Sequence, residues 1–378
     1  MKIEQQYWTA GAGWQNEAGS PLDGNASLVL VFGASHIVGD AGRMDEVRAR
    51  YPGAHLVGCS TSGEICGTRV RDDSLVVTAV RFEHTALKLA HVVIGAGGDS
   101  FEAGKRLVQA LPQQHLVHVL VLSDGLLVNG SELVRGLREN LPTGVAVTGG
   151  MAGDGTEFQQ TLVCADTSPC EGVIAALGFY GEHLKVGYGS LGGWDSFGPE
   201  RLITRSKGNV LYELDGHSAL ELYKRYLGEN NASPAEALRF PLTLRTGEGE
   251  FGPVRSVGSV NEDEQSMTFF GDMPEGGHVR LMKANFDRLV DGAASAAQAS
   301  YEMLGSKEPD LALLVSCIGR KLVLKQRTEE EVESVRDVLG KDTVLAGFYS
   351  YGEICPYGAI TGCELHNQTM TITTFSER

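Results

Sequence analysis

Glu64 and Glu353 hold the same place in a pattern that the chain uses twice. Gly58-Cys59-Ser60-Thr61-Ser62-Gly63-Glu64-Ile65-Cys66 returns as Gly347-Phe348-Tyr349-Ser350-Tyr351-Gly352-Glu353-Ile354-Cys355. The common skeleton is Gly-x4-Gly-Glu-Ile-Cys, and an apolar, β-rich stretch precedes each copy. A carboxylate in a glycine-rich turn at the end of a buried strand is where α/β proteins gather ligands. Two roles are open to Glu353. It can serve as a general base or hold a ligand amine, or it can accept N–H bonds within its own turn; a second copy favours the structural role.

Other reactive groups join these two by topology. Loops leaving the carboxyl ends of parallel strands share one sheet edge. After one strand that edge gathers Cys317, Gly319 and Arg320, and after the next Tyr349, Tyr351, Gly352 and Glu353. The N-terminal part adds Ser35 and His36, with Ser60, Thr61, Ser62 and Glu64; a middle unit adds Ser123, Asp124 and Asp154. Arg320 suits recognition of a carboxylate, and equally an ion pair with a helix acid. His366 and Asn367 enter the final strand soon after the Glu353 turn, and His366 is either a ligand contact or a hydrogen-bonded core residue. Trp194, in the loop Gly192–Pro199, is expected to pack beneath it.

Several familiar chemistries are absent. The chain has no P-loop, Gly-x-Ser-x-Gly elbow or His-Glu-x-x-His. Gly95-Ala96-Gly97-Gly98 lacks the third spaced glycine and the later acid of a dinucleotide loop. His115 and His118, three apart at a strand start, point to opposite faces. The seven cysteines form no Cys-x-x-Cys pair, so they read as free buried thiols in a reducing compartment.

Those groups need elements to hold them. Leu28–Phe32, Leu116–Leu122 and Leu311–Cys317 are almost wholly apolar runs, as expected of strands covered on both faces. Each is followed by a helix (43–50, Ser131–Asn140, Glu329–Leu339) and a second strand (Ala54–Cys59, Gly144–Thr148, Val344–Gly347), so each pair should be parallel neighbours. Apolar residues at 332, 335, 338 and 339 mark one helix face, with Thr328 as the expected N-cap. Phe101–Leu111 and Phe286–Leu304 read as further helices. Residues 75–82 and 86–94 suggest one hairpin about Glu83-His84-Thr85, and Val254–Val260 with Ser266–Phe270 another.

The fold class expected is α/β, two related halves built from strand-helix-strand units with added antiparallel hairpins. Gly228–Pro234 is the best linker, dividing the chain into 1–228 and 229–378. With 378 residues there is ample chain for large cores. The 49 glycines, well above the average of about 7%, fall among hydrophobic strands and read as turns and close backbone approaches. A net charge of −16 without any basic cluster disfavours nucleic acid. Neither a transmembrane run nor a signal peptide is evident, which makes a cytoplasmic location the simplest expectation.

Taken together, Gly58–Ile65, Gly149–Asp154, Gly192–Gly198 with Asn209–Tyr223, Cys317–Arg320, and Gly347–Ile354 followed by Leu365–Thr369 resemble the FIST family, with its N-terminal and C-terminal regions in order. The resemblance spans roughly residues 25 to 375. It implies a sensory, ligand-binding module rather than an enzyme, for small ligands such as amino acids. Similar free-standing bacterial members include haem proteins that respond to nitric oxide and signal through a partner histidine kinase or cyclic-di-GMP enzymes. The resemblance fixes no iron ligand here. A b-type haem would need a neutral histidine, an apolar slot and cations near the propionates; His366 with Arg320 is the pairing to test. Two other classes stand beside the sensor: an enzyme with Cys317 or Cys355 as nucleophile and His366 as base, and a scaffold without a small ligand.

Overall fold

The computed structural model describes residues 1–228, 234–245, 252–356 and 363–378. The chain opens with β1 (Lys2–Thr9), β2 (Gly13–Gly19) and β3 (Leu28–Gly33). Then come α1 (Ser35–Val38), α2 (Ala41–Arg50), β4 (His55–Ser60), the short hairpin β5 (Glu64–Cys66) and β6 (Arg69–Arg71), and β7 (Ser74–Arg81). A second module follows: β8 (Ala86–Val93), α3 (Ser100–Ala110), β9 (Leu116–Ser123), α4 (Gly130–Arg138), β10 (Ala146–Met151), β11 (Val163–Ala165) and β12 (Val173–Tyr180).

The third module starts at β13 (Leu184–Leu191) and is interrupted by an insert. The insert contains β14 (Asp195–Lys207), β15 (Val210–Leu214), β16 (His217–Ser218), α5 (Ala219–Leu227) and α6 (Pro234–Ala237). It continues with β17 (Leu242–Arg245), β18 (Val254–Arg255), β19 (Val257–Asn261), β20 (Ser266–Phe269) and β21 (His278–Lys283). The module then resumes with α7 (Phe286–Met303), β22 (Leu311–Cys317), α8 (Ile318–Leu324), α9 (Thr328–Leu339), β23 (Val344–Ser350), β24 (Gly352–Cys355), β25 (Glu364–His366) and β26 (Met370–Glu377).

The α/β class, strand-helix-strand units with added antiparallel strands, is what the structure shows, and the unit occurs three times. β3 and β4, β9 and β10, and β22 and β23 are parallel pairs. Each lies in a six-stranded sheet: β11-β4-β3-β7-β1-β2, β25-β24-β10-β9-β12-β8, and β6-β5-β23-β22-β26-β13. The segment after each second parallel strand crosses to another module's sheet. β5 pairs with β23, β24 pairs with β10, and β11 pairs with β4, so the exchange runs in a closed cycle.

The apolar runs explain why three sheets associate. Leu28, Leu30 and Phe32, with Leu120, Leu122, Leu311, Leu313 and Val315, point into one shared core, where Phe32 stacks on Phe348 at 4.7 Å. Their alternate neighbours face outward. Val29 and Val31 pack in the cluster of α2, Val119 and Val121 under α3 and α4, and Ala312 and Leu314 under α7 and α9. Period two on an all-apolar strand therefore gives burial on both faces.

Three sequence expectations change. Residues 75–82 and 86–94 are strands but not a hairpin: β7 pairs with β1 and β3, whereas β8 pairs with β12 in another sheet. Alternation marks a half-buried strand without naming its neighbour. The second hairpin does form, as β19 with β20, but Val254 and Arg255 belong to β18 against β17. Thr328 is the first residue of α9 rather than its cap, and its hydroxyl donates to the Lys325 carbonyl at 2.5 Å. Of the linker Gly228–Pro234, residues 229–233 lie outside the described residues.

Candidate functional site

Three turns meet where the parallel strands end. The Ser62 N–H donates to the Tyr349 carbonyl at 2.8 Å, the Tyr351 N–H to the Met151 carbonyl at 3.3 Å, and the Gly153 N–H to the Ser60 carbonyl at 3.0 Å. Counted from Gly58, Gly149 and Gly347, the donors are equivalent positions and so are the acceptors. The three modules thus close a ring of backbone hydrogen bonds, and the two Gly-Glu turns are two of its three corners.

Each glutamate is buried within its own corner. Glu353 accepts from the Ser350 hydroxyl at 2.7 Å and from the Thr369 hydroxyl at 2.9 Å and N–H at 3.2 Å. Glu64 accepts from Thr61 and Ser74 hydroxyls, both at 2.5 Å. Burial pushes the Glu353 carboxyl up to about 8 and Glu64 to about 7, although the hydrogen bonds pull the other way. Because the folded value exceeds the unfolded one, the native state holds the extra proton. The stability these two carboxyls contribute is therefore fully present below about 4.5 and declines as pH rises through the folded values, by at most about 1.4 kcal/mol per pH unit and group. Glu353→Gln should flatten that decline between pH 5 and 8 in urea unfolding; slopes matching the wild type would show that Glu353 does not titrate in this window.

Arg320 is enclosed. Its Nε and Nη2 donate to the Glu331 carboxylate at 2.9 and 2.7 Å, Nη1 donates to the Gly192 carbonyl, and Nη2 also reaches the Leu289 carbonyl at 2.7 Å. The Ser316 and Tyr349 hydroxyls complete the shell of Glu331. The guanidinium is thus spent on a helix acid, and its side chain has 0% exposure. Glu331 went unsingled in the sequence because an acid in a first helical turn is ordinary.

The remaining candidates are also structural. Ser60 accepts the Leu162 N–H on its hydroxyl, and Gly319 lies against the Gln368 side chain. Asn367 accepts the Ser256 N–H, and Gln368 donates to Leu238 O and Ser256 Oγ, so this segment pins the insert to β26. Trp194 is buried beneath its loop, with Nε1 donating to the Gln368 carbonyl at 2.9 Å. His36 follows β3 on α1, and Asp124 caps its own turn by accepting the Leu126 and Leu127 N–H groups.

His366 does not fit an iron ligand. The residue is 3% exposed, Nε2 is 3.0 Å from the Cys355 carbonyl, and burial holds the imidazole down at about 4. Haem ligation needs a free ring nitrogen facing an apolar slot. Arg320, its expected propionate partner, is already committed to Glu331. Among the described residues there is no cluster of three metal-ligating side chains.

An open crevice of about 260 Å³ sits beside the hub, between the end of β9 and the insert. Tyr351 and Met151 reach it from the hub, Asn129 from the start of α4, and Asn209, Thr268 and Phe270 from the insert. Tyr351 stacks on Phe158 at 4.9 Å and lies 5.6 Å from Phe270, which makes an aromatic wall. Its hydroxyl donates to the Asp154 carboxylate, which also accepts the N–H groups of Phe158, Gln159 and Gln160. Of this wall only Tyr351 stood among the sequence candidates. Asn209 fell in a stretch of family resemblance, whereas Phe158, Thr268 and Phe270 carried no motif. Among the described residues no helix is long and apolar enough to cross a membrane.

No curated relative matches the sequence. Among solved structures, the crystal structure of a cyanuric acid hydrolase from A. caulinodans is similar over 100% of this chain and 99% of that one, at 9% identity and a TM-score of 0.40. The FIST N domain model matches residues 27–217 and the FIST C domain model residues 219–356, meeting at β16. With both regions in order over most of its length, the chain belongs to the FIST family of sensory and signalling domains.

Proposed function

We propose that the chain is a non-catalytic sensor that binds a small, amino-acid-sized molecule in the aromatic crevice and relays its occupancy to a signalling partner. The observation that supports this reading is the crevice itself: about 260 Å³, walled by Tyr351, Phe158 and Phe270 and edged by Asn129, Asn209 and Thr268. A few polar groups around an aromatic wall is the usual make-up of a small-ligand site. The wall belongs to two parts of the chain, so a ligand there would bias how the insert sits on the hub. The family resemblance suggests a histidine kinase or a cyclic-di-GMP enzyme as the partner.

Haem is not part of this reading, because His366 and Arg320 have their bonding groups engaged elsewhere. A cysteine-nucleophile enzyme is also disfavoured. Cys317 and Cys355 are buried, and burial raises both thiols far above neutrality, where little thiolate forms. His366 meets the Cys355 carbonyl rather than a sulfur.

A thermal-shift screen of amino acids tests the reading. A ligand present at about 100 times its Kd should stabilise the fold by about 2.7 kcal/mol, a rise of several degrees. Thr268→Trp, which fills the crevice from its half-buried rim, should abolish the rise. The sensor reading fails if no amino acid shifts the transition, or if the tryptophan variant responds as the wild type does.

A further inference from the structure

The turn that supplies Phe158 to the aromatic crevice supplies Gly155 and Thr156 to a second one, of about 410 Å³. Its walls come from all three modules and the insert: Ser62 and Asp72, Gly155 and Thr156, Arg239, and Lys321, Lys325 and Thr328. Three cations against one carboxylate is an unusual local balance on a protein of net charge −16. We propose that this crevice is an anion site, taking a small phosphate- or carboxylate-bearing polyanion.

Each cation is presented by a different local constraint. Lys321 is anchored, with Nζ on the Ser62 carbonyl at 2.8 Å and paired with Asp72, so that pair is neutral and the crevice's excess positive charge rests on Lys325 and Arg239. Lys325 stands between α8 and α9 at φ 51°, a left-handed conformation that most side chains avoid, and its ammonium has no ion-pair partner among the described residues. Arg239 pairs through Nη1 with Glu236 at 2.9 Å, while its Nε is buried without a hydrogen-bond partner.

The start of α9 adds to the same field. Thr328 brings the first turn of this 12-residue helix to the crevice, and no side chain caps it. Its three first-turn acids are each drawn off: Glu329 to Arg69 at 2.7 Å, Glu330 to Arg327 at 2.7 Å, and Glu331 to Arg320 at 2.7 Å. The positive end of the helix is therefore not cancelled from within. The volume lies within the about 300–1,000 Å³ common for small-molecule sites.

Calorimetric titration of the full chain at low ionic strength, with pyrophosphate and separately with citrate, tests the site. At least one of them should bind saturably. Lys325→Gly, where glycine adopts the positive φ freely, and Arg239→Gln should each weaken it about tenfold. Added salt should weaken it too. Thr268→Trp should leave it unchanged, which separates this site from the aromatic crevice. The proposal is overturned if neither anion binds up to about 10 mM, or if both charge variants bind as tightly as the wild type while retaining its melting temperature.

Discussion

Gly347→Ala should be strongly destabilising. A Cβ at this position would stand 1.9 Å from the Leu314 carbonyl oxygen across the parallel pair of β22 and β23. Gly58 and Gly149 are the same position in the other two modules, with Cβ distances of 2.1 Å to the Val31 oxygen and 1.8 Å to the Val121 oxygen. The obstacle in each case is backbone in a sheet bonded on both sides, so no side chain can rotate away. Overpacking costs about 1–3 kcal/mol, occasionally more, and a clash with fixed backbone belongs at the upper end, a large part of a domain's total stability. The measurement is urea unfolding followed by circular dichroism for all three alanine variants. A Gly347→Ala protein with the urea midpoint of the wild type would mean that the two strands can separate locally, and the account of the hub would have to be abandoned.

The second large effect is expected at Arg320. Removing either charge of the Arg320–Glu331 pair leaves the other buried and unpaired, at a cost of about 3–5 kcal/mol. Replacing such a pair by apolar residues of similar volume often restores stability. Here the joint change Arg320→Met with Glu331→Leu should restore little. It would orphan the Gly192 and Leu289 carbonyls as well as the Ser316 and Tyr349 hydroxyls. Arg320→Lys should also be poorly tolerated, because one ammonium cannot span groups that a planar guanidinium reaches in several directions. Chemical denaturation of the two single variants and the apolar double variant decides it: a double variant as stable as the wild type would reduce the network to a replaceable filler.

How far the sequence reveals such features depends on whether they are local. The parallel pairs are legible because a strand buried on both faces needs a run dominated by apolar residues, and Leu28–Phe32, Leu116–Leu122 and Leu311–Cys317 supply it, with only His118 and Ser316 as polar members. The Gly-Glu corners are legible because their hydrogen bonds to Thr61 and Ser350 close within three residues. Arg320 shows the limit. Its charge and position are evident, but a carboxylate ligand and the carboxylate of Glu331 make the same demand on a guanidinium. β7 and β8 show another limit, since adjacent strands can part into different sheets without any change in their alternation. The aromatic crevice was hidden for a third reason. Phe270 and Thr268 come from a hairpin that meets Tyr351 only after the insert has folded onto the hub, and no spacing along the chain records that meeting.

The cyclic trade of strands between modules bears on how the polypeptide is made. β5 and β10 emerge from the ribosome early, yet β23 and β24, their partners, lie some two hundred to three hundred residues downstream. Two growing sheets must therefore wait with bare edges during synthesis, a state prone to wrong pairing with neighbouring nascent chains. Assembly should be slow and strongly non-local, and fragments ending before residue 344 should precipitate or occupy chaperones instead of yielding a smaller folded unit.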